Sequence, residues 1–347
     1  MANMRDVATV AGVSVSTVSA ALGSTKYVSP RLKARVMAAV RITGYGDAHG
    51  EVRCDVSRDV AVMLPGSYSS FFPPLLNGIT DAASEFGYTV LLYDSDRVWT
   101  KEVAFIDEIA RRGCQNVILD SICDLPHEAE YFAMIKKRLV EALGARVVVL
   151  EREIRDDAFF SVYVDNRQAA RDATLHLIDM GHTRIAHIGG SRLFPHSSIR
   201  EQGYCQALEE RGIAPDEHLI LRGDFSPISG YAAMSELLAK GIPATAVFSA
   251  NDQMAVGAIK AITTQGLRVP EDIAVAGFDN LTISSLISPG LTTVQYPIYQ
   301  MGYLAMSNLA RSRAGEDITR LTKLNARLVV RRSTDKRQID DWNLQKW

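Results

Sequence analysis

The residues best suited to chemistry sit just past apolar runs. Asp279 follows IAVAGF (273–278), Asn251-Asp252 follow AVFSA, and Glu151-Arg152 close and follow RVVVLE (146–151). Phe225 stands two residues beyond LILRG (219–223), and Arg200 stands at the start of a helical pattern. A carboxylate can accept from paired hydroxyls, a guanidinium donates through a fork, and an aromatic face covers the apolar side of a sugar ring. The set therefore points to holding a polyol. Each member also has a plainer role. Asp252 could cap its helix, Arg152 could pair with Asp156 or Asp157 on the surface, and Phe225 could belong to the core.

The elements that must position these groups are legible as alternating patterns. VAVML (60–64), TVLLY (89–93), NVILDS (116–121) and RVVVLE (146–151) read as strands. Helical patterns separate them at 73–86, with Leu76, Ile79, Ala83 and Phe86 on one face, near 100–112 and near 127–143. A second series repeats the plan with SVYV (161–164), RIAHIGG (184–190), LILRG, AVFS (246–249) and IAVAGF. The helices between them are expected after Asn166, after Ser197, near 229–240 and after Asp252. Two doubly wound α/β sheets in tandem would leave a cleft between their strand ends, where open sheets bind ligands.

Several function classes find no support. IGGS (188–191) falls short of GxGxxG, and neither a P-loop nor a GxSxG elbow occurs. His182, His187 and His196 stand isolated and read as structural histidines. Cys54, Cys114, Cys123 and Cys205 form no CxxC pair and read as reduced thiols. No catalytic residue, cofactor or metal is expected. No stretch reaches the ~20 apolar residues of a membrane span, and the first residues form no apolar export signal, so a cytoplasmic protein is expected.

The first 45 residues differ from the rest. Met4, Val7, Ala8 and Ala11 predict an amphipathic helix over 5–11, Gly12 a sharp turn, and Ser14 the N-cap of a second helix. Val18, Ala21 and Leu22 face inward on it, which leaves Val15, Ser16, Thr17 and Ser19 outward. A third helix is expected from Ser29, with Pro30 in its first turn and Leu32, Val36, Ala39 and Val40 as its stripe. Arg5, Lys26, Arg31, Lys33, Arg35 and Arg41 stand against Asp6 alone, a net +5 in a chain of net −2, so the remainder carries −7. A basic helix-turn-helix on an acidic body predicts double-stranded DNA as a partner at one end only. A solute-binding protein of a transporter would share the body, but a basic head of this kind disfavours it.

AGVSVSTVSAAL followed by YVSPRLKARVMAAVRITGY resembles the head of the LacI/GalR (lactose-repressor) family. VDNRQAARDATLHLIDMGHTRIAHIGG, IREQGYCQALEERGI, GDFSPISGYAAM and ANDQMAVGAIKAITTQGLRVPEDIAVAGFDN resemble that family's core, itself similar to periplasmic sugar-binding proteins. The resemblance implies a helix-turn-helix head at 1–45, a linker at 46–59, one subdomain from 60–162 plus 294–320, a second from 163–293 plus 321–333, and a tail at 334–347. The chain would cross between subdomains near 162, 293 and 320. Candidate DNA contacts are Val15, Ser16, Thr17 and Ser19, with Lys26, Tyr27, Ser29 and Lys33 beyond them. Candidate effector contacts are Phe72, Glu151, Arg152, Arg200, Phe225, Asn251, Asp279 and Tyr296, with Phe71-Phe72 as a roof.

This chain departs from the family pattern at Ala20, where an Arg often follows TVS, and at Leu32-Lys33, where Thr-Arg is usual. The linker GDAHGEVRCDVSRD lacks the wedge Leu, with Cys54 near its place, and Tyr296 stands where Gln is frequent. The resemblance implies a homodimeric, cytoplasmic repressor switched by a small-molecule effector, most often a sugar. A purine-responsive or phosphocarrier-protein-responsive regulator of the same family is the alternative.

Overall fold

The computed structural model describes residues 3–23, Leu32, Arg35, Val36, Ala39, Val40, Thr43, 58–191 and 194–339. The chain divides into two units, Met1–Ser57 and Arg58–Trp347.

In the first unit α1 (Met4–Ala11) starts under a reciprocal cap. The Asn3 side chain accepts from the backbone of Arg5 and Asp6, and the Asp6 carboxylate accepts from the Asn3 N–H at 2.8 Å. Gly12 ends the helix in the left-handed conformation at φ 60°, which costs glycine little. Ser14 then caps α2 (Val15–Gly23), its hydroxyl accepting the Thr17 N–H at 3.2 Å. Val7, Ala8, Ala11, Val18 and Ala21 form a small core with Val36, Ala39 and Val40 of a third helical segment. The Arg35 guanidinium ties that segment to the turn by donating to the Gly12 carbonyl at 3.1 Å.

The second unit holds two six-stranded sheets. The first contains β1 (Asp59–Leu64), β2 (Thr89–Asp94), β3 (Asn116–Leu119), β4 (Arg146–Leu150), β5 (Phe159–Val164) and β11 (Leu321–Leu324), in the order β11-β5-β4-β3-β1-β2, all parallel. Its helices are α3 (Phe72–Phe86), α4 (Trp99–Arg111), α5 (Glu128–Ile135, continued by a π turn over Lys136–Glu141) and the returning α11 (Ile298–Arg313). The second contains β6 (Ile185–Gly189), β7 (Ile220–Arg222), β8 (Ala246–Ser249), β9 (Ala274–Asp279), β10 (Thr292–Gln295) and β12 (Arg327–Val329). Its order is β12-β10-β9-β8-β6-β7, with only β12 antiparallel. α6 (Asn166–Asp179), α7 (Pro195–Glu210), α8 (Pro227–Ala239), α9 (Asp252–Thr264) and the short α10 (Ile283–Leu286) go with it. β3, β8 and β9 are buried along their whole length, as strands covered on both faces must be.

The structure moves several boundaries. β5 stays in the first sheet to Val164, so the first crossing falls after 164, two residues beyond the expected position. β10 keeps the second sheet to Gln295, and β11 belongs to the first sheet, so the third crossing lies between Leu324 and Arg327 and not near 320. The tail does not begin at 334: Thr334 and Asp335 are buried, and the Thr334 hydroxyl meets His176 Nε2 at 2.8 Å and the Thr292 hydroxyl at 2.7 Å. On α3 the buried stripe is Leu75, Ile79, Ala82 and Ala83, with Leu76 and Phe86 at its margin. Of the expected linker 46–59, residues 46–57, Cys54 among them, lie outside the described residues, as do tail residues 340–347. Among the described residues, no helix is long and apolar enough to cross a membrane.

Candidate ligand cleft

Parallel strands deliver their carboxyl ends to one region in each sheet. β1 ends before Pro65, β3 before Asp120 and β4 before Glu151; β8 ends before Ala250-Asn251, and β9 ends at Asp279. A pocket of about 60 Å³ opens there, lined by Pro65, Ser69, Phe71, Phe72, Arg97, Asp120, Glu151, Phe194, His196, Arg200, Phe225, Asn251 and Asp279. Phe71, Phe72, Glu151, Arg200, Phe225, Asn251 and Asp279 are among the residues the sequence singles out. Asp120, Arg97, Phe194 and His196 are not.

Arg200 is the centre of the charge arrangement. It projects from the buried face of α7 and is 3% exposed. Nε donates to Asn166 Oδ1 at 2.8 Å, Nη1 donates to the Ala250 carbonyl at 2.6 Å, and Asp279 Oδ1 lies 3.5 Å from Nη1. The guanidinium lies 3.8 Å above the Phe278 ring. The Asp279 backbone is held at φ 106°, a strained conformation for a non-glycine residue.

Burial pushes the Asp279 carboxyl well above the usual carboxylate range, Arg200 pulls it back, and Asp252 and Glu151 push it further up. Burial also raises Glu151, against the pull of Arg200, and raises Asp120 well above its ordinary value, with Glu151 adding to the shift. Glu151 and Asp279 therefore share one buried guanidinium, and Asp120 lines the same pocket beside Glu151. Such a site is rich in acceptors and suits a ligand that brings hydroxyl donors.

The two sheets are tied at Tyr296, which follows β10. Its hydroxyl donates to Glu151 Oε1 at 2.8 Å and accepts from Asn166 Nδ2 at 3.2 Å. Asn251 caps α9, with Oδ1 accepting the Met254 N–H at 2.9 Å, while Nδ2 donates to the Phe225 carbonyl at 3.0 Å. Phe225, at φ 73°, is buried against Phe194 and His196 with ring centroids 5.7 and 5.2 Å away. It is both core and pocket wall. Phe71 reaches the Tyr296 ring at 5.9 Å from above.

Some expectations fail locally. Asp252 is not a helix cap, since Asn251 fills that role. Its carboxylate instead accepts the Leu281 N–H at 2.7 Å and the Thr293 hydroxyl at 2.6 Å, and burial pushes its pKa up to about 7. Arg152 neither lines the pocket nor pairs with Asp156 or Asp157. It is buried, donates to Glu128 Oε1 at 2.8 Å and to the Ser121 carbonyl at 2.9 Å, and Asp156 pairs with Lys136 instead. His196 is a pocket residue and not only structural, and burial together with Arg200 keeps it neutral. His187 is fully buried, stacked between Tyr204 and Phe248, and lowered to about 4 by burial. No group of three or more His, Cys, Asp or Glu side chains among the described residues could hold a metal ion.

On the head, Val15, Ser16 and Ser19 are exposed on α2 and Thr17 is half-buried. The Ser14 hydroxyl meets those of Ser16 and Thr17 at 2.8 Å each. Lys26, Tyr27, Ser29 and Lys33 lie outside the described residues.

Known proteins share both parts. Residues 3–46 match the family described as bacterial regulatory proteins, lacI family, and residues 174–334 match the periplasmic binding protein-like domain. The chain is 36% identical over 336 residues to the HTH-type transcriptional repressor CytR of Escherichia coli (strain K12), covering 96% of each protein. Among solved structures it is similar to a transcriptional regulator CelR–cellobiose complex, with 29% identity, TM-score 0.70, and coverage of 96% of this chain and 100% of that one. It is also similar to the lac repressor dimer bound to operator and the anti-inducer ONPF, with 26% identity, TM-score 0.73, and coverage of 96% and 99%.

Proposed function

The chain belongs to the LacI family of bacterial regulatory proteins, and on that premise we propose that its cleft binds a small polyhydroxylated effector that switches the affinity of its helix-turn-helix for operator DNA. One observation carries the reading: Glu151 from the first sheet and Arg200, Asn251 and Asp279 from the second converge on a single acceptor-rich pocket. Hydroxyl donors would satisfy the crowded carboxyls, the Arg200 fork would meet ring oxygens, and Phe225 would cover the apolar face. An effector that fits one separation of the two sheets better than another shifts the population toward it, by its differential affinity alone.

The regulator acts as a homodimeric, cytoplasmic repressor in this reading. Ile228, 81% exposed, and Tyr231 on α8, with Ile283 and Leu286 on α10, are apolar groups left on two helices that both pack on α9. A second copy would cover them. An Ile228→Asp chain that still sedimented as a dimer would remove this face from the interface.

The test is a thermal-shift screen of the full chain against sugars, polyols and purines, followed by gel retardation on the DNA upstream of its own gene. A sugar hit should change operator affinity by about 5–150-fold. Arg200→Ala should abolish that response and leave DNA binding intact. A normal response at normal dose in Arg200→Ala, or a purine as the sole hit, would overturn the polyol assignment.

A further inference from the structure

The outward face of α2 carries no side chain that can choose a base by paired hydrogen bonds. The helix reads VSTVSAALG and holds no Arg, Lys, Asn, Gln, Asp or Glu. In the major groove guanine is held by a bidentate Arg or Lys, adenine by a bidentate Asn or Gln, and the amino group of cytosine by a carboxylate. None of these can come from α2. Val18 and Ala21 are buried in the small core of the head, which turns Val15, Ser16, Ser19 and Ala20 away from it.

The hydroxyls on this face do not discriminate. A serine hydroxyl both donates and accepts, so it meets either kind of base edge, or a phosphate, equally. The Ser16 and Thr17 hydroxyls are also engaged with that of Ser14, at 2.8 Å each. What remains is apolar. Val15 is 40% exposed where the helix begins, with no core to cover it, and Ala20 is partly exposed further along. Thymine alone among the four bases presents a methyl group in the major groove. Side chains this short let the helix backbone come close to the base edges, as a methyl contact requires. The charge lies elsewhere: Arg5 precedes α2, and Lys26, Arg31, Lys33, Arg35 and Arg41 follow it. Salt-dependent attraction to phosphate therefore comes from residues outside α2.

We infer that α2 reads thymine through its C5-methyl group, with Val15 and Ala20 as the specificity-determining residues, and fixes no guanine. The inference rests on the reading of the chain as an operator-binding regulator. Val15 and Ala20 lie on different turns of α2, so they meet different base pairs of a half-site.

Selection by the full chain from random duplexes about 30 base pairs long, enough for two half-sites one helical turn apart, supplies the probe. Gel retardation then reads the affinity of the enriched duplex. Replacing one thymine by deoxyuridine deletes the methyl and keeps the base pair. Losing a buried methyl contact should weaken binding roughly fourfold at one or more thymines of each half-site. The salt dependence should not change, because no phosphate contact is lost. In Val15→Ala or Ala20→Gly the penalty for uracil at the matching thymine should fall below about twofold. Each penalty compares two duplexes on one protein, so a variant that folds less well leaves it unchanged.

Uracil penalties below about twofold at every thymine would overturn the methyl assignment while DNA binding stands. So would penalties that are the same in wild type and both variants, which would place the preference in the deformability of the duplex. A guanine whose 7-deaza analogue weakens wild type about tenfold but leaves Ser16→Ala unaffected would overturn it in favour of a hydroxyl reading guanine. A selection that enriches no sequence would overturn the operator reading as well.

Discussion

Tyr296 donates its hydroxyl to Glu151 Oε1 at 2.8 Å, and this bond joins the chain segment leaving the second sheet to the strand end of the first. The same hydroxyl accepts from Asn166, which in turn receives Arg200. One phenol thus sits between the acid on one side of the cleft and the base on the other. Removing it leaves a buried carboxyl and a buried amide each short of a partner, at about 1–3 kcal/mol apiece. Tyr296→Phe should therefore lower the melting temperature by several degrees without disturbing the head. Glu151→Gln, which can still accept the bond, should cost less. Equal midpoints for wild type and Tyr296→Phe would show that the bond does not hold the cleft.

Asp252 makes stability fall as pH rises. Its folded pKa is raised to about 7, above the ordinary value of 3.8, because burial disfavours the charged form. The native state then holds a proton that the unfolded state has already lost, so the contribution is complete below the unfolded pKa and disappears as pH passes about 7. His187 works in the opposite sense. Lowered to about 4 by burial, it favours the native state above its ordinary value and loses that contribution as pH falls toward 4. The difference between variants isolates one group. Asp252→Asn, titrated by thermal unfolding between pH 4.5 and 7.5, should lose less stability than wild type over the rise. Parallel profiles would assign the slope to Asp120, Glu151 and Asp279.

Helices in the body approach through glycine. A Cβ on Gly257 of α9 would lie 2.0 Å from the Pro227 carbonyl oxygen, and one on Gly302 of α11 would lie 2.1 Å from the Leu75 carbonyl oxygen. Backbone cannot yield as a side-chain tip can, so the helices must separate. Gly257→Ala and Gly302→Ala should each destabilise by roughly 1–3 kcal/mol or more. Gly241→Ala is the contrast: a Cβ there meets nothing within 4 Å, and only its φ of 64° opposes the change. Denaturant midpoints decide the matter. A Gly302→Ala chain as stable as wild type would mean that α3 and α11 can part freely.

The strand-end rule found Glu151, Asn251 and Asp279 in the sequence because parallel strands send their carboxyl ends to one edge. The same rule points to Asp120 once the run NVILDS is cut at Leu119, where β3 ends. It overreached at Arg152. The strand ends at Leu150 and Glu151 takes φ 64°, so the chain bends there; Glu151 enters the pocket and Arg152 turns to the carbonyls of 121 and 123. His196 stands isolated among ligand-type residues in the sequence, whereas the fold brings Arg200 and Phe225 to it. β11 gave no apolar run to mark it. LTKL lies at a sheet edge and stays partly exposed, so the pattern puts the third crossing before it. Among the described residues of the head, α1, the Gly12 turn and the start of α2 were legible, since glycine, serine cap and helical spacing all act over a few residues.

That local character makes the head the place to test a single hydroxyl. The Ser14 side chain accepts the Thr17 N–H and bonds the hydroxyls of Ser16 and Thr17, two of the candidate DNA contacts. Ser14→Ala removes the cap at about 1 kcal/mol. It also frees those two hydroxyls to rotate, so operator affinity should fall by more than the lost helix stability requires. Ser14→Asp keeps the cap and adds a favourable charge at the helix start, but it places that charge where phosphates must approach. It should therefore preserve the melting temperature and still weaken binding, most steeply at low salt. Gel retardation over a salt series, read beside thermal unfolding, separates the two effects. Ser14→Asp binding as tightly as wild type at low salt would show that the start of α2 does not face the DNA backbone.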